Sequence, residues 1–208
     1  MAYFVPYIWY SNTEAAGLRK QFTYPSKAMN ANSMSYPTEE NPSAVLKMSA
    51  SSEYNSYYPA WRAGDYSTTA KPWSSKVGNA SDSCHFLQMN LPRSLYDISV
   101  TIHERGDSTT LRAIKNGRIL GSYPNLRDNA AKNNSTAIED NFVELLNWVD
   151  RVPGDAVYNL SSSNQSYDQI RIEITDPKPG TAAVCIGELR VTGYDIKSSG
   201  DWIPAQKI

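Results

Sequence analysis

The sequence predicts an all-β protein built as a sandwich or jelly roll, and three observations support this class. Apolar and polar residues alternate over 85–91, 98–102 and 170–174, as they do in strands that bury one face. Polar, turn-rich loops separate these short segments. The chain has 208 residues, which is enough for one substantial core. Short strands joined by such loops favour a sandwich or jelly roll.

The first 43 residues are rich in Tyr, Asn, Ser and Pro and show no sustained period. The dipeptides Tyr24-Pro25 and Tyr36-Pro37 indicate extended or turning chain, because a residue before proline disfavours the helical region. We predict an extended N-terminal arm over 1–43, for assembly or packing, and a jelly-roll domain over 44–208.

Five strand segments follow along the chain. The first covers 44–50. The apolar residues that we expect on the buried faces of the others are Leu87, Met89 and Leu91; Ile98, Val100 and Ile102; Ile170, Ile172 and Ile174; and Cys185, Leu189 and Val191.

Two local signals suggest further elements. The dipeptide Asn116-Gly117 predicts a hairpin within 111–120, because both residues tolerate positive φ. Phe142, Leu145, Leu146 and Val149 have helical spacing. Thr136 and Glu139 are spaced as a capping box ahead of them. One short helix is therefore expected here, ending at Pro153-Gly154, with a strand as the alternative.

Charge and composition exclude some partners. The net charge is −1, with 20 basic and 21 acidic residues intermixed, so no basic block suits nucleic acid. No apolar stretch is long enough for a membrane span. The start lacks the basic region of a secretory signal, so we expect synthesis in a cytoplasm. Cys84 and Cys185 are then expected to be reduced, buried thiols, with one disulfide bridge between them as the alternative.

Catalysis has little support in the sequence. His85 and His103 are the only histidines, and neither lies in a metal or triad spacing. No phosphate-binding loop, dinucleotide fingerprint or nucleophile elbow is present. We therefore expect a protein that is not an enzyme.

The stretch MSASSEYNSYYPAWRAGD (48–65) resembles the opening of galactose-binding-like (discoidin, coagulation-factor type C) domains. Trp73-Ser74 and FLQMNL (86–91) resemble the family's next two motifs. ILGSY (119–123) resembles its "GS" turn, and 167–174 and 187–194 resemble its closing strands. The resemblance covers about 44–196 in order and implies a galactose-binding-like jelly-roll β-sandwich. The segment 128–165 is longer than the family pattern needs.

The resemblance also implies a metal site. Related carbohydrate-binding modules hold a structural Ca²⁺ in the loop after the opening motif, where Asp65, Thr68 and Glu188 match the ligand positions. Oxygen ligands around a flexible turn suit Ca²⁺. The alternative is an Asp-capped turn, with Glu188 in a buried hydrogen bond.

The aromatic residues of the opening motif are candidates for recognition. The family buries tryptophans at the positions of Trp61 and Trp73. Sugar rings stack on aromatic faces while polar neighbours bond their hydroxyls, and the chain has 14 Tyr and 5 Trp. The candidates for glycan or partner binding are Tyr54, Asn55, Tyr57, Tyr58, Arg62 and Tyr66. The alternative is that the tyrosines pack the edge of the sheet.

This version of the opening motif resembles those in tail and fibre proteins of bacteriophages. The hypothesis is a non-catalytic virion structural protein that recognises host surface glycan or docks a neighbouring virion protein. It would be made in the host cytoplasm, located in the virion, and oligomeric in an assembly. The alternatives are a purely structural adaptor or decoration protein, or a carbohydrate-binding module of a larger glycan-active system.

Overall fold

The computed structural model describes residues 7–8, 19–26, 28–29, 35–37, 45–66, 72–75, 85–104, 114–150, 154–160, 165–177, 183–195 and 203–204. Its strands are β1 (Tyr7–Ile8), β2 (Gln21–Tyr24), β3 (Ser35–Pro37), β4 (Val45–Ala50), β5 (Trp73–Ser74), β6 (His85–His103), β7 (Ile114–Ser122), β8 (Val143–Trp148), β9 (Ala156–Asn159), β10 (Tyr167–Pro177), β11 (Cys185–Ile186), β12 (Glu188–Tyr194) and β13 (Ile203–Pro204). Its helices are a 3-10 helix (Ala60–Gly64), α1 (Pro124–Lys132) and α2 (Ile138–Asn141).

The long strand β6 belongs to both layers of a β-sandwich. Its first half pairs with β4 and β10, and β7 and β8 continue that layer. Its second half pairs with β9 and β12, and β2 lies beyond β12. The change of partners falls between Leu95 and Tyr96, next to Asp97 with φ of 48°. All of these pairings are antiparallel, so the all-β sandwich predicted from the sequence is confirmed.

The core lies between the two layers. Leu87, Met89, Val100 and Ile102 of β6 are fully buried, as are Ile170, Ile172 and Ile174 of β10 and Leu189 and Val191 of β12. These are residues that the period-two alternation assigned to buried faces. Cys185 is buried, and its Sγ donates to Ser74 Oγ at 3.2 Å. Cys84 lies outside the described residues.

Several described segments of 1–43 pair with the sandwich. β2 adds to the edge of β12, with Tyr24 opposite Val191, and β3 pairs with β4. Phe22, Tyr24 and Met29 are buried in the core cluster. This part of the chain therefore contributes apolar surface to the domain. The boundary between an arm and a domain at 43/44 stays a prediction.

The predicted hairpin at Asn116-Gly117 is wrong, because β7 runs straight through this dipeptide. At position 117 the neighbouring strands leave no room for a side chain, so glycine fits there. A Cβ at this position would lie 2.4 Å from the Glu173 carbonyl oxygen and 2.6 Å from the Trp148 ring. Asn116 Oδ1 accepts a hydrogen bond from the Asp150 backbone N–H at 2.7 Å. The dipeptide therefore serves packing between neighbouring strands.

The helix predicted over 142–149 is also wrong, and the alternative that the spacing left open is the observed one. β8 pairs with β7, and its register shifts so that Leu146 faces Ile119 and Glu144 faces Leu120. Leu145 is thus an extra residue, a β-bulge. The bulge interrupts the period of two, so the apolar spacing imitates a helix. The Thr136 capping box does not form, since Ala137 precedes the four-residue α2 without a side-chain cap.

The longer helix, α1, was not predicted. Pro124 occupies its first turn and Lys132 its last, and both are favourable there. Within the described part of the chain, no helix has both the length and the apolar character needed to cross a membrane.

Candidate functional site

The opening loop (residues 51–66) follows β4, contains the 3-10 helix and is held by β5. The Tyr54 backbone N–H donates to the Ser74 carbonyl at 2.8 Å, and the Ser74 N–H donates to the Tyr58 carbonyl at 3.3 Å. Trp73 is fully buried and its Nε1–H donates to the Ser52 carbonyl at 3.1 Å. A buried side chain thus fixes the base of an exposed loop.

Within this loop, Asn55 and Glu53 organise the backbone. Asn55 Oδ1 accepts the Tyr57 backbone N–H at 2.8 Å, and the Asn55 carbonyl accepts the Tyr58 N–H at 3.0 Å. Such an Asx-turn is a common way for asparagine to replace a backbone turn. Glu53 Oε1 accepts the Ala60 N–H at the start of the 3-10 helix, at 2.7 Å. Asn55, a candidate for binding hydroxyls, therefore already uses its carbonyl oxygens to shape the loop.

The tyrosines of the loop differ in their exposure to solvent. Tyr57 is 61% exposed and Tyr54 is 49% exposed. Tyr58 is half-buried and lies edge-on to Tyr54, with ring centroids 5.8 Å apart. Tyr57 thus presents a ring to solvent from a turn whose backbone is fixed. Tyr58 is therefore partly packed against the protein, and its ring also contacts the exposed Tyr54.

A second group of candidates lies at the end of the loop. The Arg62 guanidinium stacks on the Trp61 ring at 4.4 Å, and its Nη1 lies 3.3 Å from Asp65 Oδ2. Tyr66 has φ of 61°, and its hydroxyl donates to the Pro25 carbonyl. Trp61 is half-buried against the core. Arg62, Asp65 and Tyr66 are therefore brought together, while Thr68 lies outside the described residues.

Arg190 links Glu188, on β12, to this group, because its guanidinium contacts both Glu188 and Tyr66. Glu188 is fully buried, and Arg190 Nε donates to its Oε1 at 2.5 Å. This hydrogen bond raises the pKa of Arg190 above its usual value. The Arg190 guanidinium also lies 4.8 Å from the centre of the Tyr66 ring. Arg190 is not among the residues that the sequence motifs singled out, although the spacing Glu188-Leu-Arg190 places both side chains on one face of a strand.

The other oxygen of Glu188 is unusual. Among the described residues, Glu188 Oε2 is buried and has no hydrogen-bond partner. A buried carboxylate oxygen without a partner is costly. In the described part of the chain, no group of three or more His, Cys, Asp or Glu side chains is arranged around a metal. A cation here would therefore rely on Asp65, Glu188 and neutral oxygens.

The two histidines flank this site. His103 is paired with Glu188 across β6 and β12. His85 precedes Phe86, whose carbonyl accepts the Ser51 N–H at 3.0 Å. His85 is buried at the start of β6, and His103 is at its end. His103 Nδ1 lies 2.8 Å from Asp155 Oδ2, whose side chain is 62% exposed. Because Asp155 is largely solvated, this contact contributes little to stability.

Comparison with known proteins gives a match in structure only. No protein-family model matches the chain, and no curated protein matches it. The fold is similar to the family 32 carbohydrate-binding module of Clostridium perfringens NanJ in complex with galactose. That match has 20% identity and a TM-score of 0.52, and it covers 71% of this chain and 93% of the module.

Two further structures are similar to the same extent. A chitosan-binding module of a chitosanase/glucanase from Paenibacillus sp. IK-5 has 18% identity and a TM-score of 0.52, over 70% of this chain and 92% of the module. A Clostridium perfringens family 32 module in complex with GalNAc-β-1,3-galactose has 14% identity and a TM-score of 0.51, over 70% and 94%. The protein therefore has the galactose-binding-like, discoidin-type β-sandwich fold that its sequence resembles.

Proposed function

We propose that the protein is a non-catalytic glycan-recognition module whose binding surface is the opening loop. The observation that carries this proposal is the exposed ring of Tyr57, on a turn fixed by Asn55 and anchored through Trp73. A rigid aromatic side chain can stack on the C–H face of a sugar with little loss of conformational entropy. The similar modules from Clostridium perfringens, solved with galactose or GalNAc-β-1,3-galactose, support saccharide as the ligand class.

Hydrogen bonds to the sugar hydroxyls would come from the same loop. The Asn55 amide nitrogen and the Arg62 guanidinium are donors. The Tyr54 hydroxyl can donate or accept, and the Tyr66 hydroxyl, which donates to the Pro25 carbonyl, can accept. Arg62 is held by its stacking on Trp61 and its contact with Asp65, so its orientation is fixed before a ligand arrives. Binding by such a surface needs no proton transfer or nucleophile.

The test is binding of the full-length protein to a panel of bacterial surface glycans, compared among three variants. Tyr57→Ala removes the stacking ring and should abolish glycan binding. Because Tyr57 is 61% exposed, the melting temperature of the Tyr57→Ala protein should hardly differ from that of the unsubstituted protein. Tyr57→Phe is the matched control, since it keeps the ring and should retain most of the affinity. Tyr58→Ala should lower the melting temperature, because this ring is half-buried. Unchanged glycan binding by Tyr57→Ala would contradict the proposal.

Calcium at Asp65, Thr68 and Glu188 is a second part of the proposal. The donors fit a hard cation: two carboxylates, a hydroxyl and backbone carbonyls supply oxygen ligands. The buried Oε2 of Glu188 needs a partner that the described residues do not provide. Arg62 and Arg190 already compensate the two carboxylates in part. A bound cation would share these carboxylates with the two arginines and hold the end of the opening loop.

The calcium proposal is tested by thermal melting with Ca²⁺, with Mg²⁺ and with a chelator. A ligand at one hundred times its Kd stabilises the folded state by about 2.7 kcal/mol, so calcium should raise the melting temperature measurably. Glu188→Gln keeps the shape of the side chain and should remove this dependence. A melting temperature that is equal with calcium and with chelator would show that Glu188 serves only Arg190.

The setting of the module is also a proposal. The opening motif resembles those of bacteriophage tail and fibre proteins, which supports an oligomeric virion protein that binds surface polysaccharide or another virion protein. The alternative, a module of a larger glycan-active system, is supported by a similar region in a Clostridium perfringens family 89 glycoside hydrolase, where the match covers 14% of that chain. Light scattering of the full-length chain tests the oligomer. An antibody against this protein separates the two settings: it should label virions in the first and secreted glycosidases in the second.

A further inference from the structure

A second concave site lies at the other end of the sandwich. In the pairing of β6 with β10, Ile174 faces His85 near the opening loop, whereas Tyr167 faces Leu95 at the far end. There an open cleft of about 300 Å³ is lined by Tyr123, Val143, Glu144, Leu145, Leu160, Gln165 and Tyr167. This volume is at the lower limit of the range for small-molecule sites, roughly 300–1,000 Å³. The cleft therefore has room for one small ring.

The two tyrosines of the cleft are held in place before any ligand binds. Their rings lie edge to face, with centroids 6.0 Å apart. The Tyr123 carbonyl accepts the first backbone hydrogen bonds of α1, and Arg127 of that helix forms two hydrogen bonds with Asp168, at 2.7 and 2.9 Å. Asp168 directly follows Tyr167. The ion pair thus links the helix that follows Tyr123 to the strand that begins at Tyr167.

Gly121 sets the depth of the cleft. A Cβ on Gly121 would lie 2.6 Å from the Tyr167 ring and 2.8 Å from Leu145 Cδ1. Both side chains can therefore lie directly against the β7 backbone only because residue 121 is glycine. Tyr167 is 5% exposed and forms the base, while Tyr123 is half-buried at the rim.

The lining combines an apolar wall with polar groups. Val143, Leu145 and Leu160 supply apolar contact, and the Gln165 amide has both a donor and an acceptor. Glu144 is 45% exposed, and its carboxylate lies 3.7 Å from Arg118. A purely apolar ligand would remove water from Glu144 and Gln165 without replacing their hydrogen bonds. An anionic ligand would meet the Glu144 carboxylate.

We propose that this cleft is a second binding site and that it takes one uncharged saccharide ring. A pyranose has an apolar C–H face for the tyrosines and leucines and a hydroxylated edge for Glu144 and Gln165. The site is independent of the opening loop, because its lining residues lie on β8, at the start of β10 and in the segments beside β7 and β9, at the opposite end of the β6–β10 pairing. A protein with both sites would bind glycan in two places and so could crosslink chains or gain avidity.

The test is an amide-resolved NMR titration of the full-length protein with D-galactose and N-acetyl-D-galactosamine, with sialic acid as the anionic counterpart. We expect saturable shifts at Gly121, Tyr123, Leu145 and Gln165 with at least one neutral sugar, and no such shifts with sialic acid. Tyr123→Ala should weaken this binding about tenfold, as expected for one aromatic contact. Tyr123→Phe should largely preserve it.

The outcomes separate the two sites. Shifts confined to residues 51–66 would support the opening-loop proposal and overturn this one. Cleft shifts that persist in Tyr57→Ala and weaken in Tyr123→Ala would establish the second site even if the opening loop binds nothing. If Tyr123→Ala does not fold, Gln165→Ala provides the comparison, because this side chain is only half-buried. Cleft shifts that neither variant weakens would overturn the proposal.

Discussion

Replacement of Tyr24 by alanine should destabilise the domain severely, although this residue precedes the region that resembles the family. Tyr24 is 2% exposed, and its ring stacks on Phe22 with centroids 6.4 Å apart. Burial of a tyrosine removes about 150–250 Å² from water. At about 25 cal/mol per Å² this amounts to roughly 4–6 kcal/mol, and large-to-small core substitutions of aromatic residues typically cost about 3–5 kcal/mol. We expect a loss in that second range.

Urea unfolding followed by tryptophan fluorescence measures this loss directly. Thr23→Ala is the matched control, because Thr23 is on the exposed face of the same strand and contacts Thr192 at 3.0 Å. It should cost under about 1 kcal/mol. Deletion of residues 1–29 should abolish cooperative folding, since domains are stable by only about 5–15 kcal/mol. A Tyr24→Ala protein as stable as Thr23→Ala would refute the reasoning and make β2 dispensable to the core.

Three further substitutions test local packing by urea unfolding. Gly117→Ala should cost at least about 1–3 kcal/mol, because its Cβ would lie 2.6 Å from the Trp148 ring; unchanged stability would mean that β7 and β8 can separate freely. Arg171→Lys should cost about 1–3 kcal/mol, since Arg171 forms two hydrogen bonds with Gln88; a smaller loss would show that a point charge suffices. Trp73→Phe removes the hydrogen-bond donor to the Ser52 carbonyl. It should lower the free energy of unfolding by only about 1 kcal/mol and should also weaken glycan binding. Unchanged glycan affinity would show that binding does not need this anchor of the opening loop.

The strand predictions succeeded where one face of a strand is buried throughout. Ile170, Ile172 and Ile174 repeat with a period of two because every second side chain of β10 points into the core. The prediction over 142–149 failed because a bulge at Leu145 interrupts that period. A bulge is decided by the partner strand, which lies more than twenty residues away in sequence, so a local pattern does not reveal it.

For the candidate site, the sequence named candidate residues but not the interactions among them. The order of motifs from residue 48 to 65 indicated an opening loop whose tyrosines could either bind a ligand or pack the edge of the sheet. Only the coordinates distinguish Tyr57, which is exposed, from Tyr58, which packs beside Tyr54. The pairing of Glu188 with Arg190 follows from strand alternation, but the unpartnered second oxygen of Glu188 does not.

The sequence by itself predicted the all-β class, because alternating apolar residues are typical of strands that bury one face of a sheet. It also determined the composition of the opening loop. The tertiary structure alone decided which distant segments meet: β2 against β12, Gly117 against Trp148, and the two tyrosines of the far cleft. The physical reason is that the alternation of apolar residues along a strand shows which side chains are buried. The identity of the partner instead depends on how the whole chain closes around its core.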